Sequence, residues 1–523
     1  MNNIKEQYEE FEIKKYQKFI LILAIFLGGL IIRLYYLPVE IPIILDGLEY
    51  FWYASDIAIS SNLPQNYSPA NNGWPIFLSF FFSLIDSKNF MDYMLIQRVV
   101  SVFLSSLTII PMYFLCKKFV DDKFALLGSF IFSFEPRLIL NSTLGITEPL
   151  FILLITLSIL LLLSWKKSLY FLSIILLAFG TIVRSEGLIL LIPFILIYGL
   201  KFKNKKISYE IPILLIMFFL IITPIMVYRI EVIGNDTLFS RIPIININSD
   251  NKIIDEETTQ EKNNNYIEIF YRLGVGLSPI MIFLLPIGIL NFSRKINFNK
   301  FTILTILFFI LIPALYAISF LPDHRYLLIA FPILILISIF SIKKISVLNQ
   351  RNIIYVILAV LLLSSISFLE YQKIDKNDEL EILKISKTIS EKSTMINNYP
   401  PQSGYLPIIG MQELVEFPIL KEKFVENSGV RFCVKIQDCE FIKDLEGSNI
   451  DELIINAEKM KITHLIIDQQ NDRRLEIFKK IYENENDYPF LKKIYQSKND
   501  LSIYNVKIFE INYAEFFKLT GKD

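Results

Sequence analysis

Long apolar runs recur from residue 19 to residue 370 of this 523-residue chain, and they decide what it can fold into. A helix needs about 20 predominantly apolar residues to cross the hydrocarbon core of a bilayer. Apolar runs near that length lie at about 19–37, 95–115, 124–140, 148–164, 169–183, 187–200, 209–228, 275–292, 301–320, 326–341 and 352–370. The sequence therefore predicts an α-helical polytopic membrane protein with about 11 transmembrane helices.

Basic residues occupy every second connection between these runs. Clusters of lysine and arginine lie at 14–18, 117–123, 166–167, 201–206, 294–300 and 343–351. Because cytoplasmic loops carry the excess of basic residues, residues 1–18 are predicted to be a cytoplasmic N-terminal segment. The transmembrane domain, 19–370, then has long outward loops at 38–93 and 229–274, and an odd number of spans places residues 371–523 outside the cytoplasm.

The segment after residue 371 changes from apolar runs to alternating strand and helix patterns. Strands are predicted at 394–398, 464–468 and 504–511, and helices at 376–392, 450–460 and 472–483. Short strands that alternate with helices are typical of an α/β fold. The sequence therefore predicts a C-terminal extracytoplasmic α/β domain.

The first outward loop begins with an acidic and aromatic segment, IILDGLEYFWYAS, at residues 43–55. In a helix, steps of three and four residues place five residues on one face: Asp46, Glu49, Tyr50, Tyr53 and Asp56. Two interpretations of this helix are possible: its acidic face takes part in a reaction, or it is an ordinary interfacial helix whose acidic residues are solvated. The residues alone leave both interpretations open.

Further along the same loop, residues 71–84 read NNGWPIFLSFFFSL. This stretch is rich in aromatic residues and is predicted to re-enter the membrane surface. Tryptophan collects where the membrane meets water, so Trp74 is predicted to be an interface anchor.

The remaining outward turns carry charges at membrane depth, where charges are expensive and usually retained for function. These charges are Glu135, Arg137 and Glu148 in one connection, Arg184 and Glu186 in the next, and Asp323, His324 and Arg325 in the last. Each group alone also fits a local ion pair or a charged tip that ends a turn. Together they favour a site for an anionic, membrane-embedded substrate, because arginine suits bidentate phosphate binding and carboxylates suit general-base work.

Four segments in this order resemble superfamily C of the glycosyltransferases. They are LDGLEYFWYA at 45–54, TEPLF at 147–151, VRSEGLIL at 183–190 and HRYLLIAFPILI at 324–335. Members of this superfamily are polytopic enzymes that use polyprenyl-phosphate-linked sugars. They include protein O-mannosyltransferases, lipid A aminoarabinose transferases and, more distantly, the catalytic subunits of oligosaccharyltransferases. The resemblance covers about residues 19–370.

The resemblance implies an inverting glycosyltransferase in the cell membrane. Such an enzyme moves a sugar from a polyprenyl- or dolichyl-phosphate donor to a hydroxyl of a protein, glycan or lipid acceptor on the outer face. By this resemblance Asp46 is the catalytic carboxylate, and Glu49 orients the acceptor. It matches Arg184 and Arg325 to arginines near the donor phosphate. Arg137 is predicted as a further phosphate ligand, and supporting roles are predicted for Glu148, Glu186, Tyr50, Tyr53 and His324.

Other interpretations remain open at this point. A divalent metal on Asp46 and Glu49 is one of them, although His324 and His464 are the only histidines and cannot build a histidine-rich site. An oligosaccharyltransferase-like enzyme is another, but its WWDYG motif is absent because the last tryptophan is Trp165. A lipid or glycan transporter would place polar groups near the bilayer midplane. Nothing in the sequence indicates a nucleic-acid partner.

Overall fold

The structure, a computed structural model, describes residues 14–43, 46–64, 71–87, 89–202, 207–233, 272, 274, 276–320, 324–348, 353–372, 376–392, 396–397, 442–443, 447, 449–467, 476–497 and 505–521. The chain divides into two compact units. The first unit comprises Met1–Leu37, Tyr67–Phe80 and Ile96–Lys373, and the second comprises Pro38–Asn66, Phe81–Leu95 and Ile374–Asp523. Most of the predicted outward loop 229–274 lies outside the described residues.

Helices dominate the chain up to residue 371. In chain order they are α1 (Lys15–Tyr35), α2 (Asp46–Ser60), α3 (Gly73–Phe82), α4 (Phe90–Leu107), α5 (Ile109–Lys117), α6 (Asp122–Ser133), α7 (Pro136–Ser142), α8 (Glu148–Leu162), α9 (Lys167–Val183), α10 (Gly187–Lys201), α11 (Ile207–Ile233), α12 (Pro279–Phe292), α13 (Phe298–Phe320), the 3-10 helix His324–Ala330, α14 (Phe331–Leu348) and α15 (Ile353–Tyr371). Helix α2 belongs to the second unit, and α3 and α4 have residues in both units.

Several of these helices have the length and composition of membrane spans. Five described stretches qualify: Lys15–Tyr35, Phe90–Lys117, Ile207–Glu231, Phe298–Ile318 and Arg325–Ser346. Helices α6 and α7 qualify together as a sixth, with a bend of 50° between them. Further apolar helices, among them α8, α9 and α10, are shorter. The chain is therefore an integral membrane protein, and the count of about 11 spans stays a prediction.

The bend between α6 and α7 has an identifiable cause. Pro136 opens α7 and cannot donate the backbone hydrogen bond that would continue α6. The carbonyl of Phe134 at the break accepts instead from the hydroxyl of Ser365 in α15, at 2.6 Å. A backbone carbonyl freed within an apolar bundle thereby keeps a partner.

Helix α1 is joined to its neighbours by a buried charged residue, Arg33. Arg33 is fully buried and donates to the hydroxyl of Ser105 at 3.2 Å and to the carbonyl of Ser133 at 2.7 Å. Gly29 permits the close approach of α1 and α6, because a Cβ there would lie 2.1 Å from Oγ of Ser133. Helix α1 is thus packed through polar contacts as well as apolar ones.

The second unit contains a five-stranded mixed sheet. Its strands are β1 (Ile396–Asn397), β2 (Ile442–Lys443), β3 (His464–Ile467), β4 (Leu491–Gln496) and β5 (Lys507–Ile511), in the order β2-β1-β3-β5-β4. Strand β1 pairs in parallel with β2 and β3, whereas β5 pairs antiparallel with β3 and β4. The tail helices are α16 (Lys376–Lys392), α17 (Ile450–Lys459), α18 (Glu476–Glu483) and α19 (Tyr513–Thr520).

The core of this unit forms where the helices pack on the sheet. Leu453 and Ile454 of α17, Phe509 of β5 and Phe516 of α19 are completely or almost completely buried in one cluster. Asn449 starts α17 by accepting a hydrogen bond from the backbone N–H of the third helical residue, as capping asparagines do. The predicted helices 376–392 and 450–460 and the predicted strands 464–468 and 504–511 are confirmed.

We expect acid to loosen this unit through Glu485. Lys493 donates to its carboxylate at 2.6 Å, and Lys507 lies 3.1 Å away. The hydrogen bond from Lys493 is the main cause that holds the pKa of Glu485 below its usual 4.5. A lowered pKa contributes stability that is present above pH 4.5 and is lost as the pH falls through the folded-state value. Thermal unfolding between neutral and acidic pH should therefore depend less on pH in Glu485→Gln, and an unchanged slope would contradict this.

Candidate functional site

The candidate site in the first unit is built on the tight connection between α9 and α10. Helix α9 ends at Val183, Arg184 takes an extended conformation, and α10 begins three residues later at Gly187. A Cβ at Gly187 would lie 2.9 Å from the backbone Cα of Thr181, so only glycine fits this approach. The short turn therefore holds Arg184 and Glu186 between two apolar helices.

Arg184 contacts two carboxylates at once. Its Nη1 donates to Oε1 of Glu148 at 2.6 Å and to Oγ1 of Thr147 at 3.2 Å. Its Nη2 and Nε donate to Oε1 of Glu186 at 2.6 Å and 3.1 Å. The ring of Tyr326, in the 3-10 helix, lies 4.9 Å from the guanidinium carbon and covers its face. We call Arg184, Glu148 and Glu186 the arginine cluster.

The arginine cluster is dry and carries an excess of negative charge. The exposed fractions are 7% for the side chain of Arg184, 2% for Glu148 and 13% for Glu186. Two carboxylates face one guanidinium, and the four hydrogen bonds of Arg184 engage most of its five N–H donors. In this arrangement Arg184 cannot clamp a phosphate with two hydrogen bonds unless a carboxylate moves away.

The turn before Glu148 is clamped from two sides. Gly145 has a positive φ of 71°, a conformation that favours glycine. Its carbonyl accepts from Nε1 of Trp74 at 3.0 Å and from Nε2 of Gln97 at 2.7 Å. The prediction of Trp74 as an interface anchor is therefore wrong: its indole is fully buried because it serves as a donor inside the unit. These contacts position Glu148 at the start of α8.

We expect Trp74→Phe to destabilise the protein by about 1–3 kcal/mol, because the buried carbonyl of Gly145 loses a donor. The same substitution at Trp165, whose side chain is 64% exposed, is the matched control and should stay within about 0.5 kcal/mol. Thermal unfolding of both variants in detergent measures the difference. Equal losses in both would show that the clamp on Gly145 contributes nothing.

The other predicted phosphate ligands lie in different surroundings. Arg325 is half-buried in the 3-10 helix, next to the Tyr326 ring that covers Arg184. His324 begins that helix, and Asp323 lies outside the described residues. Arg137 of α7 lies with its guanidinium carbon 4.9 Å from the ring of Phe368, beside the buried carboxylate of Glu135. The structure thus links Arg325 to the arginine cluster through the 3-10 helix, and it gives Arg137 a separate environment.

In the second unit, Asp46 and Glu49 lie in the first turn of α2 and are exposed. The predicted helix is confirmed, and Tyr50 and Tyr53 are buried. The chain that enters α2 is held by the backbone N–H of Ile43, which donates to the sulfur of Met94 at 3.1 Å. This end of α2 therefore presents two carboxylates one helical turn apart.

The middle of α2 is not an ordinary interfacial helix. Residues on all of its sides between 50 and 56 are buried, including Trp52, and the ring of Phe51 lies 5.7 Å from that of Phe82. Asp56 is buried too, so the expectation of a solvated acid at that position is wrong. A one-sided aromatic and acidic pattern does not describe this segment, and its exposed acids are confined to the first turn.

The residues present do not by themselves build a divalent metal site. Within the described part of the chain, no group of three or more His, Cys, Asp and Glu side chains is placed to hold an ion. Asp46 and Glu49 offer two carboxylates, and a hard cation takes six or more oxygen ligands, some of them from water or substrate. Glu148 and Glu186 are already bonded to Arg184. We therefore derive no reaction step through a metal.

The fold has relatives among solved membrane enzymes. No protein-family model and no curated protein matches the sequence. The archaeal oligosaccharyltransferase AglB from Archaeoglobus fulgidus, in complex with an inhibitory peptide and a dolichol-phosphate, is similar with a TM-score of 0.53 and 10% identity, over 87% of this chain and 70% of that one. An Archaeoglobus fulgidus oligosaccharyltransferase in complex with Zn and sulfate has a TM-score of 0.52 and 9% identity, over 94% of this chain and 73% of that one.

A second similar structure is ArnT from Cupriavidus metallidurans bound to undecaprenyl phosphate. Its TM-score is 0.48 and its identity 9%, over 94% of this chain and 97% of that one. At such identities a likeness establishes the fold alone. The chain shares the fold of the Archaeoglobus fulgidus oligosaccharyltransferase, so the resemblance predicted from four short segments is confirmed at the level of the fold.

Proposed function

We propose that this protein is an inverting glycosyltransferase that moves a sugar from a polyprenyl- or dolichyl-phosphate donor to an acceptor hydroxyl at the outer membrane surface. The observation that carries the proposal is the superfamily C fold, which extends over 87% of the chain in the comparison with AglB. AglB was solved with a dolichol-phosphate and an inhibitory peptide, and ArnT with undecaprenyl phosphate. A lipid phosphate is therefore the donor chemistry that the proposal adopts.

In the proposed reaction the acceptor oxygen attacks the anomeric carbon of the sugar. Asp46 takes the hydroxyl proton, the new carbon–oxygen bond forms, and the bond to the phosphate oxygen breaks. The lipid phosphate leaves with the bonding electrons, and cationic side chains that bind it stabilise its charge. Exposure of Asp46 and Glu49 in the first turn of α2 supports this role, because an acceptor can reach them.

The arginine cluster refines the proposed donor site. Arg184 is buried, whereas Arg325 is only half-buried, so we propose Arg325 as the arginine that meets the donor phosphate first. Arg184 would join it only by exchanging a carboxylate for the phosphate. Arg137 is kept as a third candidate, with Tyr50, Tyr53 and His324 in supporting roles. If a divalent metal ion bound at Asp46 and Glu49, Asp46 would still be the proposed base.

The proposal includes the topology predicted from the basic residues. The N-terminus is placed in the cytoplasm, about 11 helices span the membrane, and residues 371–523 form the extracytoplasmic domain. Single cysteines placed at Ser293 and at Lys492 test this on intact cells with an impermeant thiol reagent. We expect the tail position to react and the connection between α12 and α13 to stay unlabelled; the reverse pattern would overturn the topology.

The function itself is tested with purified protein in vesicles that contain a labelled polyprenyl-phosphate sugar. Incubation with membrane extract as the acceptor source should release free polyprenyl phosphate and label an acceptor. Cells that lack the protein should accumulate the unused lipid-linked sugar. Movement of labelled lipid across the bilayer without loss of its sugar would favour the transporter alternative, and label transferred to asparagine would favour an oligosaccharyltransferase-like enzyme.

A further inference from the structure

Most of the described lysines of the first unit lie at the end opposite the arginine cluster, where ion pairs join several connections. Lys18 of α1 and Lys117 of α5 both pair with Asp122 at the start of α6. Lys167 of α9 pairs with Glu210 of α11. These three pairs compensate part of the positive charge at this end of the helices.

At one corner of this end, lysines without an ion pair in the described part of the chain lie beside an exposed tryptophan, Trp165. Lys118, Lys166 and Lys201 have no ion-pair partner among the residues that the structure describes. Lys118 and Lys166 are exposed, and Lys118 lies close enough to Lys201 to repel it. An anion that reached these ammonium groups would reduce their mutual repulsion.

The side chain of Lys201 is fixed in this corner. Its ammonium group donates to the carbonyls of Leu162 at 2.8 Å and Ser164 at 2.6 Å, which are the free carbonyls at the end of α8. The same ammonium lies 5.0 Å from the ring of Trp165. Burial holds the charge in place, so it cannot swing into solvent as a surface lysine does.

Trp165 supplies the apolar half of the corner. Its side chain is 64% exposed, and its ring is tilted against Phe298 with centroids 6.0 Å apart. An exposed indole at the end of apolar helices, next to ammonium groups, matches the headgroup region of a bilayer, where amphipathic rings and lysines meet lipid phosphates. A soluble anion would use the lysines and would leave the indole without an apolar partner.

We infer that the corner formed by Lys118, Trp165, Lys166 and Lys201 is a binding site for the headgroup of an anionic phospholipid in the adjacent leaflet. The phosphate lies among the ammonium groups, and the glycerol and upper acyl chains pack on the indole. This site is separate from the proposed donor site. The lipid acts as a bound structural partner at the ends of α8 and α10, and no reaction takes place there.

The test measures lipid binding to the detergent-purified full-length protein by native mass spectrometry. Phosphatidylglycerol is the probe, and phosphatidylcholine of the same chain length is the neutral comparison. The double variant Lys118→Gln with Lys166→Gln should weaken phosphatidylglycerol binding roughly 10-fold, because each lysine near a headgroup contributes a several-fold preference. Lys201 is left intact because its carbonyl contacts hold α8 and α10 together.

The matched control is Lys15→Gln with Lys123→Gln, which removes two exposed lysines near the Asp122 ion pairs. Its phosphatidylglycerol affinity should equal that of the wild type, and thermal unfolding should be alike in both double variants. Equal loss in the control would overturn the site in favour of diffuse attraction to the whole basic end. Equal binding of phosphatidylcholine, or competition by soluble glycerol phosphate, would also overturn a phospholipid site.

Discussion

Asp46→Asn should lower the rate of sugar transfer by roughly 10²- to 10⁴-fold, the usual contribution of a general base. The amide keeps the size of the side chain and loses the ability to accept the acceptor's proton. Asp46 is exposed in the first turn of α2, so thermal stability should change by no more than about 0.5 kcal/mol. Donor binding should be unchanged, and transfer from a labelled lipid-linked sugar provides the measurement.

Glu49→Gln is the matched control for this prediction, because it makes the same chemical change one turn along the same helix. It should reduce the rate of sugar transfer less than Asp46→Asn does, and the thermal stability of the two variants should be the same. A variant that loses the acceptor's orientation raises KM more than it lowers kcat, and this pattern is expected at Glu49. Near-normal turnover in Asp46→Asn would remove Asp46 from the role of base.

Arg184→Gln should destabilise the protein by about 3–5 kcal/mol, because it leaves two buried carboxylates without their shared cation. Glu148→Gln should cost less. It removes one of two like charges and leaves Arg184 paired with Glu186 at 2.6 Å. Thermal unfolding in detergent ranks the two variants, and a larger loss in Glu148→Gln would contradict the net negative charge inferred for the cluster.

Donor affinity separates the structural role of Arg184 from a role in binding. Lysine keeps the charge and loses the planar fork that phosphate binding uses. Arg325→Lys should weaken binding of the donor in a protein that unfolds at the normal temperature. Arg184→Lys should mainly lower stability, with donor affinity changed only if the phosphate displaces a carboxylate. Unchanged affinity in both variants would confine the proposed site to the acids of α2.

Local sequence patterns predicted the helices and strands well, but they predicted the contacts between these elements poorly. The apolar runs, the helix at residues 46–60 and the tail strands β3 and β5 follow from spacing alone, because periodicity is a property of neighbouring residues. Strand β4 was not predicted. Its lysines face outward at the edge of the sheet, and they hide the alternation that marks a half-buried strand.

The sequence predicted which residues belong to the candidate site, but it did not predict which of them pair with each other. Glu186 lies two residues from Arg184 and was recognised as a possible partner, whereas Glu148 lies 36 residues away and is brought there by packing. The predicted position of Trp74 at the membrane interface was wrong. A tryptophan occurs both at interfaces and at buried positions where its N–H donates a hydrogen bond, and the sequence does not distinguish the two. Gln97 was missed, although a lone amide inside an apolar run is a signal of a buried hydrogen bond.

The bend between α6 and α7 sets a limit on how this protein can be dissected. The Phe134 carbonyl at that bend takes its hydrogen bond from Ser365, which is 231 residues further along the chain. A polypeptide that stops after α14 would contain both halves of the broken helix and lack the donor that completes them. Truncations of this protein should therefore end after α15, so that the Phe134 carbonyl keeps its partner.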